Sequence, residues 1–158
     1  MGRDYGIFDV LGPVMIGPSS SHTAGAARLG RIAAQISGNR FKKVTFYLHG
    51  SFAKTYKGHG TDRALLAGVL GMEPQDERLR DSYDIAKSKG LEFEFIESDL
   101  GNVHPNTVKF VFNMEDGSTT SVTGSSIGGG SVLITEIDGQ KVEFSGAYPT
   151  IITRHLDQ

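Results

Sequence analysis

The sequence predicts an α+β domain: a mixed, mostly antiparallel sheet with helices packed on one face. Three observations predict it. An amphipathic helical pattern follows a glycine- and proline-rich start, and two further helical patterns separate the first two strand-like runs. From Leu91 onward, period-2 stripes are punctuated by Asp-Gly dipeptides. Helices come first and a strand meander follows, which is α+β rather than a repeating βαβ unit. At 158 residues and 17.0 kDa the chain suffices for one domain with an ordinary core, and needs no metal or disulfide staple.

Taken in order, Phe8, Val10 and Leu11 form a short apolar entry, and the glycines and prolines from Gly12 to Pro18 exclude a regular element there. The first helix is expected from Thr23 to Ser37. Leu29, Ile32, Ala33 and Ile36 share a stripe, Arg28, Arg31 and Gln35 lie elsewhere, and Gly38 stops the helix. Val44 to His49 alternates as a strand. The segment from Gly50 to Asp62 reads as too glycine-rich and polar for an element of its own. Thr61 or Asp62 then caps a second helix through Leu70, stopped by Gly71.

Asp76 to Lys89 reads as a third helix whose Leu79, Tyr83 and Ala86 share a face. Leu91 to Ile96 is a strand with Phe93 and Phe95 on one side, and Val108, Phe110, Phe112 and Met114 make the clearest alternating stripe. Asp116-Gly117 signals a hairpin returning over Thr119 to Thr123. Asp138-Gly139 signals a second, joining Ser131–Ile137 to Lys141–Phe144. Tyr148 to His155 reads as one more strand beginning, so that 1–147 forms the domain and 148–158 the start of a truncated module or tail.

Composition excludes several classes. There is no cysteine, so this chain offers no disulfide and no thiolate for zinc or iron–sulfur; any such centre belongs to another chain. Sixteen basic against 18 acidic residues, net −2, give no electrostatic case for nucleic acid. No apolar run approaches the roughly 20 residues that cross a bilayer. The start, Met1-Gly-Arg-Asp-Tyr-Gly6, lacks a signal-peptide apolar region, so a soluble cytoplasmic protein is expected.

The candidate chemistry sits in short polar segments ahead of helices. Ser19, Ser20, Ser21, His22 and Thr23 stand where the first helix begins, and a helix start offers unpaired N–H groups and the positive dipole end to a carboxylate or phosphate. One hydroxyl suffices as a cap, so the others are open to a ligand. Lys57-Gly-His-Gly-Thr-Asp62 repeats the arrangement, with His59 between glycines and Lys57, Thr61 and Asp62 beside it; two such helix starts could face one anionic molecule. The order of a phosphate P-loop is absent.

His104-Pro-Asn-Thr107 and Ser125-Ser-Ile-Gly-Gly-Gly130 are further polar loops, the latter reading more readily as a turn between strands. Any one of these histidines alone reads as an ordinary surface or capping residue; three in similar settings point to function. His49 and His155 read as structural.

The segments Phe8 to Arg28, Gly50-Ser-Phe-Ala53 with Lys57 to Asp62, His104 to Thr107 and Ser126 to Gly130 closely resemble, in that order, the β chain of bacterial iron–sulfur-dependent L-serine dehydratase. The resemblance implies a separate α chain, or α domain, carrying the cysteines of a [4Fe–4S] cluster, and a fold shared with the allosteric substrate-binding domain of some phosphoglycerate dehydrogenases. It implies deamination of L-serine to pyruvate and ammonia. An open iron of the cluster would act as Lewis acid, and pyridoxal phosphate would play no part. It also implies an ACT module of which Tyr148 to Gln158 would be the first strand.

Under this resemblance His59, His22 and His104 are the candidate proton-transfer residues, His59 first. Ser19, Ser20, Ser21, Thr23, Lys57, Thr61, Asp62 and Asn106 are the candidate substrate-binding residues. Two other roles stand open, a regulatory module that binds serine or an anion and a purely structural subunit, as does homodimerisation of the isolated chain.

Overall fold

The computed structural model describes residues 20–55 and 60–145, with backbone alone described at 20–22 and 144. The expected module start at 148–158 therefore lies outside the described residues. Six strands form one open sheet in the order β2-β1-β3-β4-β5-β6. They are β1 (Phe41–Leu48), β2 (Glu92–Glu97), β3 (Thr107–Met114), β4 (Thr119–Gly128), β5 (Ser131–Ile137) and β6 (Gln140–Ser145). All neighbours are antiparallel except β1 and β2, which run parallel with Val44 beside Phe93 and Phe46 beside Phe95.

Parallel neighbours require a crossover. Here the helices between β1 and β2 supply it, a single βαβ connection inside an otherwise antiparallel meander. The helices are α1 (Ser20–Ser37), α2 (Gly50–Thr55), α3 (Thr61–Val69) and α4 (Ser82–Ser88), the last preceded by a 3₁₀ turn at Glu77–Asp81. No described helix is long and apolar enough to cross a membrane.

Strand alternation makes one face of the sheet the core. Val44, Phe46 and Leu48 of β1, Val108, Phe110 and Phe112 of β3, Val122 of β4 and Ile134 of β5 are fully buried. Cross-strand pairing puts Phe46 between Phe95 and Phe110, with ring centroids at 4.5 and 5.5 Å. Tyr83 of α4 meets Phe93 at 4.9 Å on the same face. The opposite face carries Tyr47, Lys109, Val111 and Ser121, all half-buried. This is the α+β arrangement that the pattern of elements predicts.

Four local expectations are corrected. Helix α1 includes Ser20, three residues ahead of Thr23, so Ser20, Ser21, His22 and Thr23 lie in the helix and not before it. The 50–55 stretch is helical despite its composition, because Phe52 is drawn into the core and Ser51 N–H donates to the Pro105 carbonyl at 2.9 Å. The helix expected over 76–89 is broken: Asp76 caps a 3₁₀ turn through Arg78 N–H, and α4 starts only at Ser82, whose hydroxyl donates to the Arg63 carbonyl at 2.9 Å. Strand β4 runs on past Thr123 to Gly128, carrying Ser125 and Ser126 into the sheet.

Candidate active-site edge

One edge of the sheet gathers the polar segments. Strand β1 ends at Leu48, beside Glu97 at the end of β2 and Val108 at the start of β3; Thr107 pairs with Ser125, and Ser126 with Val132. The His49-Gly50-Ser51 corner, the loop up to Asn106 and the Ser125–Gly130 segment thus share that edge. Backbone bonds lock them together: His49 N–H donates to the Thr107 carbonyl at 3.1 Å and Ser126 N–H to the Asn106 carbonyl at 2.9 Å. Gly50, at φ 59°, lies so close to Pro105 that a side chain there would strike its carbonyl.

Helix α1 is pinned to the same edge. Gly25 sits against Ser126, where any Cβ would overlap the serine hydroxyl, and Arg28 Nη1 donates to the Gly130 carbonyl at 3.4 Å. The backbone of His22 therefore lies one helical turn from the Gly25–Ser126 contact.

Helices α1 and α3 pack backbone to backbone. A Cβ on Gly68 would strike the Ala27 carbonyl, and one on Gly30 would strike the Leu65 carbonyl. Their direction follows from a cavity of about 540 Å³ at the other end of the sheet, where Asn39, just past α1, and Val69 to Gly71, closing α3, line one wall with Phe41. Both helices end there, so both N-termini point toward the polar edge.

Thr61 is the first residue of α3 but caps nothing. The cap position is Gly60, in the left-handed conformation at φ 78°, with no side-chain bond to the helix. Asp62 does not cap either. Its Oδ1 accepts from Arg63 N–H at 2.8 Å and its Oδ2 from the Tyr83 hydroxyl at 2.6 Å, which fastens the α3 start to α4. With Thr61 fully buried and Asp62 5% exposed, these are interior groups and not solvated caps.

Among the described residues, three buried side-chain polar atoms have no hydrogen-bond partner: Thr23 Oγ1, Thr61 Oγ1 and Asn106 Oδ1. Buried polar groups are nearly always paired, and an orphan costs about 1–3 kcal/mol. These three come from three of the four polar segments singled out in the sequence, one from each.

Around Asn106 the remaining groups are tied. Asn106 N–H donates to His104 Nδ1 at 3.0 Å, which assigns the exposed ring of His104 as an Nε2–H donor facing outward. Thr107 Oγ1 spends its one hydrogen on the His104 carbonyl at 2.6 Å, so Ser125 must be the donor in the 2.7 Å Thr107–Ser125 contact. His49 has a structural role: its Nδ1 accepts from Leu100 N–H at 2.9 Å, so the 3.9 Å approach of Asp99 to the same nitrogen is no ion pair.

Ser19, Lys57 and His59 lie outside the described residues, as do the side chains of Ser20, Ser21 and His22. The structure adds Gly25, Gly30, Gly68, Ser125 and Ser126 to the framework of the edge. A signal for part of this exists in the chain: Thr-x-x-Ala-x-x-x-Gly recurs as Thr23, Ala26, Gly30 and as Thr61, Ala64, Gly68.

The sequence profile of the family described as "Serine dehydratase beta chain" matches residues 6–89, more than half of the chain. The chain is also 51% identical over 156 residues to the L-serine dehydratase, beta chain, of Peptoniphilus asaccharolyticus, covering 98% of this chain and 70% of that protein. This chain belongs to the serine dehydratase beta-chain family. A second family member, the probable L-serine dehydratase, beta chain, of Bacillus subtilis, is 48% identical over 96% of this chain and 69% of that protein. L-serine dehydratase 1 of Escherichia coli is 31% identical over 90% of this chain, a match that occupies 37% of that protein. Membership of the serine dehydratase beta-chain family identifies the chain as a lyase subunit.

Proposed function

We propose that this chain is the β subunit of an L-serine dehydratase and that its polar edge forms one wall of the site where L-serine is deaminated to pyruvate and ammonia. The observation that carries the reading is the placement of the three orphaned polar atoms, Thr23 Oγ1, Thr61 Oγ1 and Asn106 Oδ1, which fall in three of the four segments of the family resemblance. A buried polar group left unpaired needs an explanation, and a ligand received at the edge supplies one.

The rest of the site comes from a partner α chain. The beta-chain match fills 37% of the E. coli protein, so most of what that longer protein contains must reach this chain from elsewhere. The large apolar side chains exposed by more than a third among the described residues, Val103 at 39% and Ile127 at 45%, both flank the polar edge and suit a protein partner there. A [4Fe–4S] cluster is held by cysteine thiolates, which this chain does not supply. There is no cysteine, and no three acidic or histidine side chains group as a metal site among the described residues. The cluster is assigned to the partner.

This chain's own residues bind and move protons. The helix N–H groups and hydroxyls at the edge hold the substrate carboxylate, His104 Nε2–H donates outward, and His59, or His22, takes the α-proton. Loss of the hydroxyl as water then leaves an aminoacrylate that hydrolyses to pyruvate and ammonia. The test is turnover of the assembled two-chain enzyme. His59→Ala or His22→Ala lowers kcat about a hundredfold or more with the fold intact if either is the acid–base group. A His59→Ala enzyme that changes cooperativity while keeping its saturated rate overturns this reading in favour of a sensing module.

A further inference from the structure

The two outer strands of the sheet differ in charge. Among the described residues, β2 and β6 each have a neighbour on one side only, so each turns a row of backbone N–H and C=O groups outward. On β2, Glu92, Glu94 and Glu97 are exposed and the strand has no basic residue, so a second copy laid there would bring acid against acid. On β6 the exposed charged residues are Lys141 and Glu143, two residues apart and therefore on one face of the strand. Register places Lys141 beside Glu136 of β5, and neither Lys141 nor Glu143 makes an ion pair among the described residues. Between them Val142 points to the other face, where it packs half-buried against the hydrophobic core.

We propose that β6 is a self-association edge: the β6 strands of two copies of this chain pair antiparallel about a two-fold axis at Val142, joining two six-stranded sheets into one. Such an axis stands perpendicular to the sheet, so both copies keep their helices on the same face. Lys141 of each copy then faces Glu143 of the other, and Val142 meets its own mate on the core side. Moving the axis one residue either way sets Lys141 against Lys141 or Glu143 against Glu143, so charge selects the register. The patch is its own complement, as a closed isologous dimer requires, and the outward backbone groups of β6 gain partners. Ser145 pairs with Leu133 at the start of β5, so the end of β6 lies toward the polar edge. The two-fold therefore sends the second polar edge to the opposite end of the joined sheet, leaving both open. The dimer does not depend on the reading of that edge as a substrate wall.

The test is sedimentation velocity on the full-length chain across a concentration series. The unaltered chain should sediment as a concentration-dependent dimer. Lys141→Glu and Glu143→Lys should each weaken self-association about tenfold or more, because either change turns both symmetric pairs into like-charge pairs. An equimolar mixture of the two variants should dimerise again, since the mixed pair restores acid against base at both positions. A covalent readout is independent of charge. The chain has no cysteine of its own, and residues opposed in an antiparallel ladder have Cα atoms about 4.5–5.5 Å apart, within disulfide reach. Val142→Cys should therefore couple into a covalent dimer under a mild thiol oxidant. Gln140→Cys, whose symmetry mate lies four residues along and so about 13 Å away, should not.

An unaltered chain that stays monomeric overturns the proposal, as do charge variants that associate like the unaltered chain. A mixture that fails to recover the dimer, or coupling at position 140 and not at 142, overturns it too. Should a charge variant fail to fold, the Val142→Cys and Gln140→Cys pair still decides. Turnover enters none of these measurements, so their outcome and that of the histidine variants are read separately.

Discussion

Tyr83 donates its phenolic hydrogen to Asp62 Oδ2 at 2.6 Å, joining α4 to the first turn of α3 across 21 residues of chain. Arg63 lies over the same tyrosine ring at 4.8 Å and donates from Nε to the Arg80 carbonyl at 3.1 Å. The acidic residue beside Thr61 is thereby committed to holding the helix start in place.

Tyr83→Phe leaves one oxygen of a carboxylate that is only 5% exposed without its donor. The expected cost is about 1–3 kcal/mol in urea unfolding, with the phenylalanine ring keeping the contact to Phe93. An unchanged midpoint would show that the bond is not holding the helix.

Gly68→Ala inverts the usual rule for helices. In an open helix the change gains about 1 kcal/mol from propensity. Here the new methyl meets the Ala27 carbonyl, and a net loss of about 1–3 kcal/mol is expected from overpacking. Gly30→Ala should behave alike, and the double variant should depart from additivity because both act on one seam.

Thr107→Val removes the acceptor of the Ser125 hydroxyl and the donor to the His104 carbonyl together. A loss of about 1–3 kcal/mol is expected, since Ser125 is buried and left unpaired. Adding Ser125→Ala should recover part of it, and a double-mutant cycle measures the coupling.

Asp76 provides a pH signature remote from the site. Arg78, bonded to it through side chain and backbone, lowers its pKa from 3.8 to about 2. A depressed carboxylate pKa stabilises the fold above the unfolded value, and that contribution is lost as pH falls from near 3.8 through about 2. A carboxyl NMR titration should show the Asp76 midpoint near 2, and Arg78→Ala should return it toward 3.8.

The strands were legible wherever a pattern is local. The stripe of Val108, Phe110, Phe112 and Met114 alternates because one face of β3 is core, and Asp138-Gly139 turns at positive φ (51° and 83°), as such a dipeptide should. Small residues hid the second buried side of α1. Ala26, Ala27, Gly30 and Ala34 carry little hydrophobic signal, yet all are buried, and they let α3 approach to backbone contact. Helix α2 was invisible for a related reason: its one anchor, Phe52, acts through a core assembled from distant strands.

The sequence alone determined the family resemblance, the α+β class and the identity of the polar segments, because these depend on residue type and short spacing. Only the tertiary structure decided that the His104–Thr107 and Ser125–Gly130 segments share one edge with the His49-Gly50-Ser51 corner, that β1 and β2 run parallel, and that Thr61 is a buried orphan and not a cap. Each of those outcomes depends on groups distant in the chain competing for the same space and the same hydrogen bonds. Local propensity contains no information about that competition.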